Sequence, residues 1–149
     1  MEIIEIENLN EARKKTEKIS SEGKIVAVKG RNIEFNRKIL EMKNVNMLIL
    51  YHKEKSDKLK QRDSGLNHIL CKIAKEKNIT IAIDFSEILG TQGRERAEVL
   101  ARLIQNLKLI KKYKNSFKII NKSGRDNYDL RAFLHSLGIP TNMAKMAVE

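Results

Sequence analysis

An α/β fold on a parallel sheet is what this 149-residue sequence predicts, from three observations. Short runs rich in β-branched residues recur at Ile3–Ile6, Ile25–Val28, Met47–Tyr51, Ile79–Phe85 and Phe117–Ile120. Segments with helical apolar spacing lie between them. The runs are apolar at consecutive positions, as in strands buried on both faces under helices. A complete eight-unit barrel takes about 250 residues, roughly 31 per strand–helix unit, so this length allows about five units. Five strand runs are present, and the chain reads as a small open sheet or an incomplete barrel.

The elements follow in order. The first helix starts near Asn8, with Glu11 as capping-box partner, and stops at Gly23; Leu9, Ala12, Thr16 and Ile19 form its inner stripe. A short helix covers Asn36–Met42, and Arg31–Phe35 is ambiguous. Leu66, Ile69, Leu70, Ile73 and Ala74 keep i, i+3, i+4, i+7, i+8 spacing and predict one buried helix face, with His68, Lys72 and Lys75 opposite. Cys71 sits beside that stripe as a core thiol. Leu100, Leu103, Ile104, Leu107 and Ile110 give the next helix the same stripe and leave Lys108, Lys111 and Lys112 outward. A further helix has Asp126 as N-cap, Asp129 in its first turn, and Leu130, Phe133, Leu134 and Leu137 facing inward. It ends at Gly138 before Pro140. A short last helix spans Thr141–Val148. Without repeats, low-complexity tracts or Pro/Gly-rich linkers, residues 1–149 read as a single domain.

Charge narrows the function. Thirty Lys and Arg against 19 Asp and Glu give a net charge of +11, which calls for a polyanionic partner, nucleic acid first. From Arg102 to Arg125 there are eight basic residues and no acid. A second stretch, Lys53, Lys55, Lys58, Lys60 and Arg62, is diluted by Glu54 and Asp57. The competing reading is a solvated charged surface. No apolar run reaches the ~18 residues of a membrane span, and the apolar stripes are committed to a core, so no membrane partner is expected. Tryptophan is absent and aromatics are 5%, so phosphate and shape reading fits better than a base-stacking platform. Met1–Glu5 lacks the basic, then apolar, pattern of a signal peptide. A lone cysteine excludes an intrachain disulfide or a cysteine zinc site and fits a reducing compartment, so a cytoplasmic location is expected.

In a parallel sheet the loops after the strands share one edge, where ligands usually bind. Three such loops carry cations beside glycine and hydroxyl residues: Gln61–Gly65, Gly90–Arg94 and Asn121–Asp126. They offer backbone N–H groups and positive charge to phosphate, although Ser-Gly and Asp-Ser are also plain turn chemistry. His52, His68 and His135 form no His-x-His or His-x-x-x-His pair. A metal-dependent phosphoesterase could draw only on Asp63, His68, Asp84 and Asp126, a thin ligand set, so no catalytic or metal-binding residue is expected. Asp84 equally suits a cap. Ser64 lacks a nucleophile elbow, no phosphate-gripping G-x-x-x-x-G-K-[ST] run is present, and the strands argue against a helix-turn-helix at Leu130–Ala147.

Four ordered motifs then carry a resemblance: Arg62-Asp63-Ser64-Gly65-Leu66-Asn67-His68-Ile69-Leu70, Ile81-Ala82-Ile83-Asp84-Phe85, Leu103-Ile104-Gln105-Asn106-Leu107-Lys108-Leu109 and Tyr128-Asp129-Leu130-Arg131-Ala132-Phe133. In order and spacing they resemble the archaeal ribonuclease P protein component 3 family and its eukaryotic counterparts, across roughly Lys24–Gly138. Two positions depart from the family pattern: Asn127 stands where proline is common, and Asn67 replaces a frequent acid. Relative to the family, one N-terminal strand–helix unit and a C-terminal tail look trimmed.

The resemblance implies a shortened TIM-barrel-like, PHP-like fold with parallel strands and outer helices. It also implies an RNA-binding accessory subunit of ribonuclease P. In that particle the RNA uses Mg²⁺ to remove the 5′ leader of precursor tRNA, and this chain itself binds no cofactor. The partners it implies are ribonuclease P RNA, protein component 2 and the other protein subunits, with precursor tRNA as substrate of the complex. On that reading Lys108, Lys111, Lys112, Lys122 and Arg125 are the main phosphate contacts, with Arg62 and Arg131 beside them. Asp63, Ser64, Gly65 and His68 shape the loop and helix start, and Asp84 and Asn106 hold motif positions. Asp126 and Asp129 act as caps, and Tyr128 is packed with its hydroxyl near the RNA. Two alternatives stand beside it: an active metal-dependent phosphoesterase of the PHP-like type, and an interaction scaffold whose basic face is incidental.

Overall fold

A computed structural model describes residues 1–53 and 55–149; Glu54, one of the two acids diluting the second basic stretch, lies outside the described residues. The elements run β1 (Glu2–Ile4), α1 (Leu9–Ser21), β2 (Val26–Lys29), α2 (Ile33–Glu41), β3 (Met47–Leu50), α3 (His68–Glu76), β4 (Thr80–Asp84), α4 (Phe85–Leu89), α5 (Gly93–Tyr113), β5 (Phe117–Ile120), α6 (Asn127–Ser136) and α7 (Thr141–Val148). The strands form one all-parallel sheet in the order β1-β2-β3-β4-β5. A strand order that follows the chain without reversal is that of a barrel, and the fold is TIM-barrel-like rather than doubly wound.

The packing agrees. Val26, Val28, Leu48, Leu50, Ile81, Ile83, Phe117 and Ile119 share one large core with the helices. The alternate strand residues Ala27, Ile49 and Ala82 form a separate small cluster, flanked by Met47 and Ile120 and without any helical residue. Helices therefore cover one face of the sheet, and the other face is the one a barrel turns inward.

Short polar residues start the helices. Asn8, Asn32, Asn67, Asp84 and Asp126 each accept a backbone N–H of the first turn, at 2.8–2.9 Å. Each return from helix to strand passes through one left-handed residue: Gly23, Asn44, Asn78 or Lys114.

Three expectations need correction. The run Ile79–Phe85 ends as a strand at Asp84, because that carboxylate caps α4 and turns Phe85 into its first residue. The second helix starts at Ile33 rather than Asn36, since Asn32 caps it. Ile69 is 42% exposed; Cys71 takes the inward position beside Leu70 and Ala74 instead.

Burial pushes the Cys71 thiol up from 9.0 to about 12. The thiolate is the reactive species, so a disulfide reagent at neutral pH is expected to leave the folded protein unmodified and to titrate one thiol after urea unfolding. Stoichiometric labelling of the folded chain would contradict this.

Candidate functional site

The edge reached by the C-terminal ends of the strands carries a dense set of charged and polar groups. Lys29, at the end of β2, donates to Glu5 Oε1 at 2.6 Å and lies 4.7 Å above the Tyr51 ring. The Lys29 ammonium holds the Glu5 carboxyl below its usual range. Arg31 Nη2 reaches Glu7 at 3.1 Å, and Lys53 lies 3.6 Å from Glu95. Glu5, Glu7, Lys29, Arg31, Lys53 and Lys55 line a cavity of about 570 Å³. Lys55 is more than half buried and donates to the Arg31 carbonyl; burial lowers its pKa.

Behind this edge lies a buried polar knot that joins β3, α4, α5 and the loop of residues 51–67. Glu87 of α4 accepts the backbone N–H of His52 at 2.6 Å and of Lys53 at 2.7 Å, and its second oxygen meets His52 Nδ1 at 2.9 Å. Asn106 Nδ2 of α5 donates to the Ser64 carbonyl at 2.8 Å and meets His52 Nε2 at 3.1 Å. A carbonyl only accepts, so the Asn106 nitrogen must face it. That assigns His52 Nε2 as acceptor and His52 Nδ1–H as the donor to Glu87. Arg102 Nη1 donates to the His52 carbonyl at 3.1 Å and Arg102 Nη2 to that of Lys55 at 3.3 Å, with Asp57 also 3.3 Å away. From α2, Asn36 donates to the Gly65 carbonyl at 2.7 Å and accepts the Arg31 N–H at 2.7 Å. His52, Ser64, Arg102, Asn106 and Asn36 are all buried.

The structure divides the expected phosphate contacts. α5 ends at Tyr113 and feeds the start of β5, so Lys111 and Lys112 lie toward the N-terminal edge of the sheet, with Lys108 about one turn earlier on the exposed side of α5. Lys122 and Arg125 follow β5, at the opposite edge, across a strand about 13 Å long. Arg62 belongs to that second edge, in the β3–α3 loop. Lys111 Nζ donates to the Gly138 carbonyl at 3.3 Å, and Lys112 lies 5.6 Å from the Tyr113 ring centre. Arg125 is 4.0 Å from Asp129. Arg131 lies 3.6 Å from Glu149 and over the Tyr128 ring. Arg102, the first cation of the acid-free run, is 5% exposed and belongs to the knot rather than to the surface.

The loop-shaping residues behave unequally. Ser64, Gly65 and Asn106 form part of the knot, and Asp63 Oδ1 accepts the Gly65 N–H at 3.2 Å. Asp84 and Asp126 are caps. Asp129 donates its backbone N–H to the Asp126 cap and its side chain is exposed. His68 is exposed at the first turn of α3. Tyr128 is 78% exposed, not packed; it sits at the solvated start of α6, with the Arg131 guanidinium over its ring. Among the described residues, no three His, Cys, Asp or Glu side chains gather closely enough to hold a metal ion. Among the described residues, no helix is long and apolar enough to cross a membrane. His52, Glu87, Arg102 and Asn36 escaped the sequence reading, since their partners lie tens of residues away.

The family model described as RNase P subunit p30 matches residues 3–149. The chain belongs to the RNase P subunit p30 family. Ribonuclease P protein component 3 of Methanococcus maripaludis (strain C7) is 31% identical over 149 positions, covering 96% of this chain and 61% of the relative. The Methanocaldococcus jannaschii protein of the same name is 30% identical over 153 positions, with the same two coverages. A chain in a cryo-EM structure of archaeal ribonuclease P with mature tRNA superposes with a TM-score of 0.76 and 31% identity over 97% of this chain and 62% of that one. The chain thus spans about three fifths of the length of the curated relatives it matches.

The motifs that carry the p30-family resemblance meet in pairs. The first joins the third through Ser64–Asn106 and a 3.3 Å bond from Gln105 Nε2 to Ser64 Oγ. The second joins the fourth through an edge-to-face contact of Phe85 and Phe133 at 5.2 Å.

Two substitutions test the knot. Glu87→Ala strands two backbone N–H groups and His52 Nδ1–H and is expected to cost about 3 kcal/mol in urea unfolding, with loss of amide-exchange protection at residues 52–66. Gly65 has φ +75°, and a Cβ there would stand 3.2 Å from the Arg31 oxygen and from Asn36 Nδ2. Gly65→Ala is expected to cost about 2 kcal/mol by the same measurement. A change below ~0.5 kcal/mol in either variant would show that the knot does not hold the loop.

Proposed function

We propose that the chain is an RNA-binding protein subunit of ribonuclease P, supporting RNA-catalysed removal of the 5′ leader from precursor tRNA. The observation that carries this reading is the match over nearly the whole chain, in sequence and fold, to a chain of archaeal ribonuclease P. The charge supports it. Catalytic RNA packs phosphates closely, and a basic protein surface lowers their repulsion and the Mg²⁺ needed to offset it. In this reading Mg²⁺ serves the RNA. The partners are ribonuclease P RNA, protein component 2 and the other protein subunits, with precursor tRNA as the substrate of the assembly, in the cytoplasm.

The placement of the cations refines how RNA is held. At the edge following the strands, Lys29 and Arg31 are neutralised by Glu5 and Glu7. Lys122 and Arg62 have no ion-pair partner among the described residues, and Arg125 has only a long one. At the other edge Lys108, Lys111 and Lys112 likewise have none among the described residues, although Lys111 donates to a carbonyl. RNA is therefore gripped at two separated places, by Lys122, Arg125, Arg62 and Arg131 at one and by Lys108, Lys111 and Lys112 at the other. Asp84 and Asp126, two of the four carboxylates and imidazoles a phosphoesterase would need, are occupied as helix caps. No observation favours that second reading.

The test is precursor-tRNA cleavage by the reconstituted particle, with and without this chain, across a Mg²⁺ titration. The expected result is RNA-dependent cleavage whose Mg²⁺ midpoint falls when the chain is added. Chelator-sensitive cleavage by the protein alone would overturn the reading. Replacing Lys122 and Arg125 together by Ala is expected to reduce the slope of log affinity against log salt by about 1.5, roughly 0.7–0.9 per lost phosphate contact. Lys111→Ala with Lys112→Ala should produce a similar and additive change.

A further inference from the structure

The loop of residues 51–67, between β3 and α3, exceeds the ~12–15 residues beyond which an irregular connection is usually functional. The other strand-to-helix links in this sheet are short, and β4 runs straight into α4. Both ends of the long loop are held in the polar knot: Glu87 and Arg102 grip His52 and Lys53, while Asn106 and Asn36 grip Ser64 and Gly65. Closer to the tip, Arg102 binds the Lys55 carbonyl and Asp57, and Asp57 accepts the Asp63 N–H at 2.7 Å. The tip itself is a tight reversal closed by two backbone bonds between Lys58 and Gln61, at 2.9 and 3.1 Å. Its leading residue, Leu59, is 101% exposed, the most solvated large apolar side chain among the described residues. Lys58 and Lys60 flank it and Arg62 follows; none has an acid within 4.0 Å among the described residues, and Arg62 acts on the Asp57 carboxyl only at longer range. Asp57, the acid nearest the tip on its leading side, is already engaged by Arg102.

A flexible loop would not need an anchor of buried charged and amide groups. Such groups are costly to desolvate, and what they supply is a fixed position. A fixed tip that carries one apolar residue between cations matches a folded RNA at an unpaired or bulged nucleotide: the cations meet the flanking phosphates and the apolar side chain covers a base that has left its stack. A protein groove would supply carboxylates or apolar walls to the same tip, but the run of three cations favours the polyanion.

We propose that the 58–62 tip is an RNA-docking probe, with Leu59 packed on an unstacked base of the ribonuclease P RNA and Lys58, Lys60 and Arg62 on the adjacent phosphates. It rests on the RNA-binding reading above and adds a specific element to it. Leu59 supplies shape selectivity that the dispersed lysines cannot, because phosphate contacts alone position RNA without distinguishing its sequence or local shape.

The buried Cys71 makes the test direct, since a cysteine introduced on the surface is the one that labels. Full-length Leu59→Cys, Lys112→Cys and Glu11→Cys variants, each carrying a tethered iron chelate, are assembled with the ribonuclease P RNA transcript and the RNA cleavage pattern is read. Strong cleavage from position 59 confined to an unpaired loop or bulge, with none from position 11, is expected. Leu59→Asp should weaken RNA binding about tenfold, and Leu59→Met should restore it. Cleavage from position 112 without any from 59, or unchanged affinity of Leu59→Asp, would overturn the probe and leave the RNA-binding reading standing. Cross-linking of position 59 to another protein subunit in place of RNA would overturn it in favour of a protein contact. Failure of all variants and of the parent chain to retain the RNA would overturn both.

Discussion

The Glu87 carboxylate is the contact on which the upper half of the molecule depends. It bridges from a five-residue helix to two successive backbone N–H groups and an imidazole, and so ties α4 to the exit of β3. A carboxylate withdrawn from water is costly unless its lone pairs are filled; here three donors fill them. His52 then passes the constraint on to Asn106, and Asn106 passes it to Ser64 on the far side of the loop. Asn106 Oδ1 and Arg102 Nε are buried without a hydrogen-bond partner among the described residues. An apolar core of the same volume would hold the helices as well. It would not hold a loop of backbone carbonyls at a fixed height above the sheet.

Sheet direction and charge are coupled in the same way. In a parallel sheet every helix returns to the starting edge, so a run of cations that spans the end of a helix, a strand and the next loop is split between two edges. That is the fate of the acid-free run from Arg102 to Arg125. Its first member is buried, Lys108 to Lys114 decorate the end of α5, Lys118 lies within β5, and the last two follow β5. Lysines at the return edge also meet spent backbone: Lys75 donates to the Tyr113 carbonyl at 3.1 Å and Lys77 to that of Glu41 at 2.6 Å, where the helix ends carry partial negative charge. Part of the charge surplus is thus fixed in place by the fold, and the remainder, Lys108, Lys112 and Lys122 among it, stands exposed.

Local signals were the legible ones. Asn8 and Asp126 announce their helices because a cap acts within three residues, and the short last helix at Thr141–Val148 is present as expected. The strand runs are legible because they are largely apolar on both faces; Lys118, in register with Ala82 on the face without helices, is the exception in β5. The sequence order of the strands was not legible, since an open sheet and a barrel share the same runs; the sequential pairing and the one-sided helical cover decide it. α4 was hidden because Phe85 continues an apolar run and only the Asp84 cap ends it. Within the site, Ser64, Gly65 and Asn106 were reached through motif resemblance, and their contact was not. His52 looked isolated among scattered histidines, because its partners Glu87 and Asn106 lie 35 and 54 positions away. Arg102 looked like one surface cation among eight, since a one-dimensional charge run carries no information about which helix face each charge occupies.

The chemistry of the strand-exit edge follows from which residues stand there. In this architecture that edge is where phosphoester chemistry is usually placed, and a divalent metal needs several carboxylates or imidazoles aimed at one point. Here Lys29, Lys53, Lys55 and Lys122 occupy or adjoin it, and Glu5 is already bound to Lys29. Ammonium groups repel a divalent cation at the same distance at which they attract a phosphate oxygen. His52 is buried and bound to Glu87 and Asn106, and Glu87, which borders a cavity at this edge, has both oxygens engaged by two backbone N–H groups and the His52 imidazole. The edge therefore presents ammonium groups, while Glu5, Glu87 and His52 are held by lysine, backbone and amide partners.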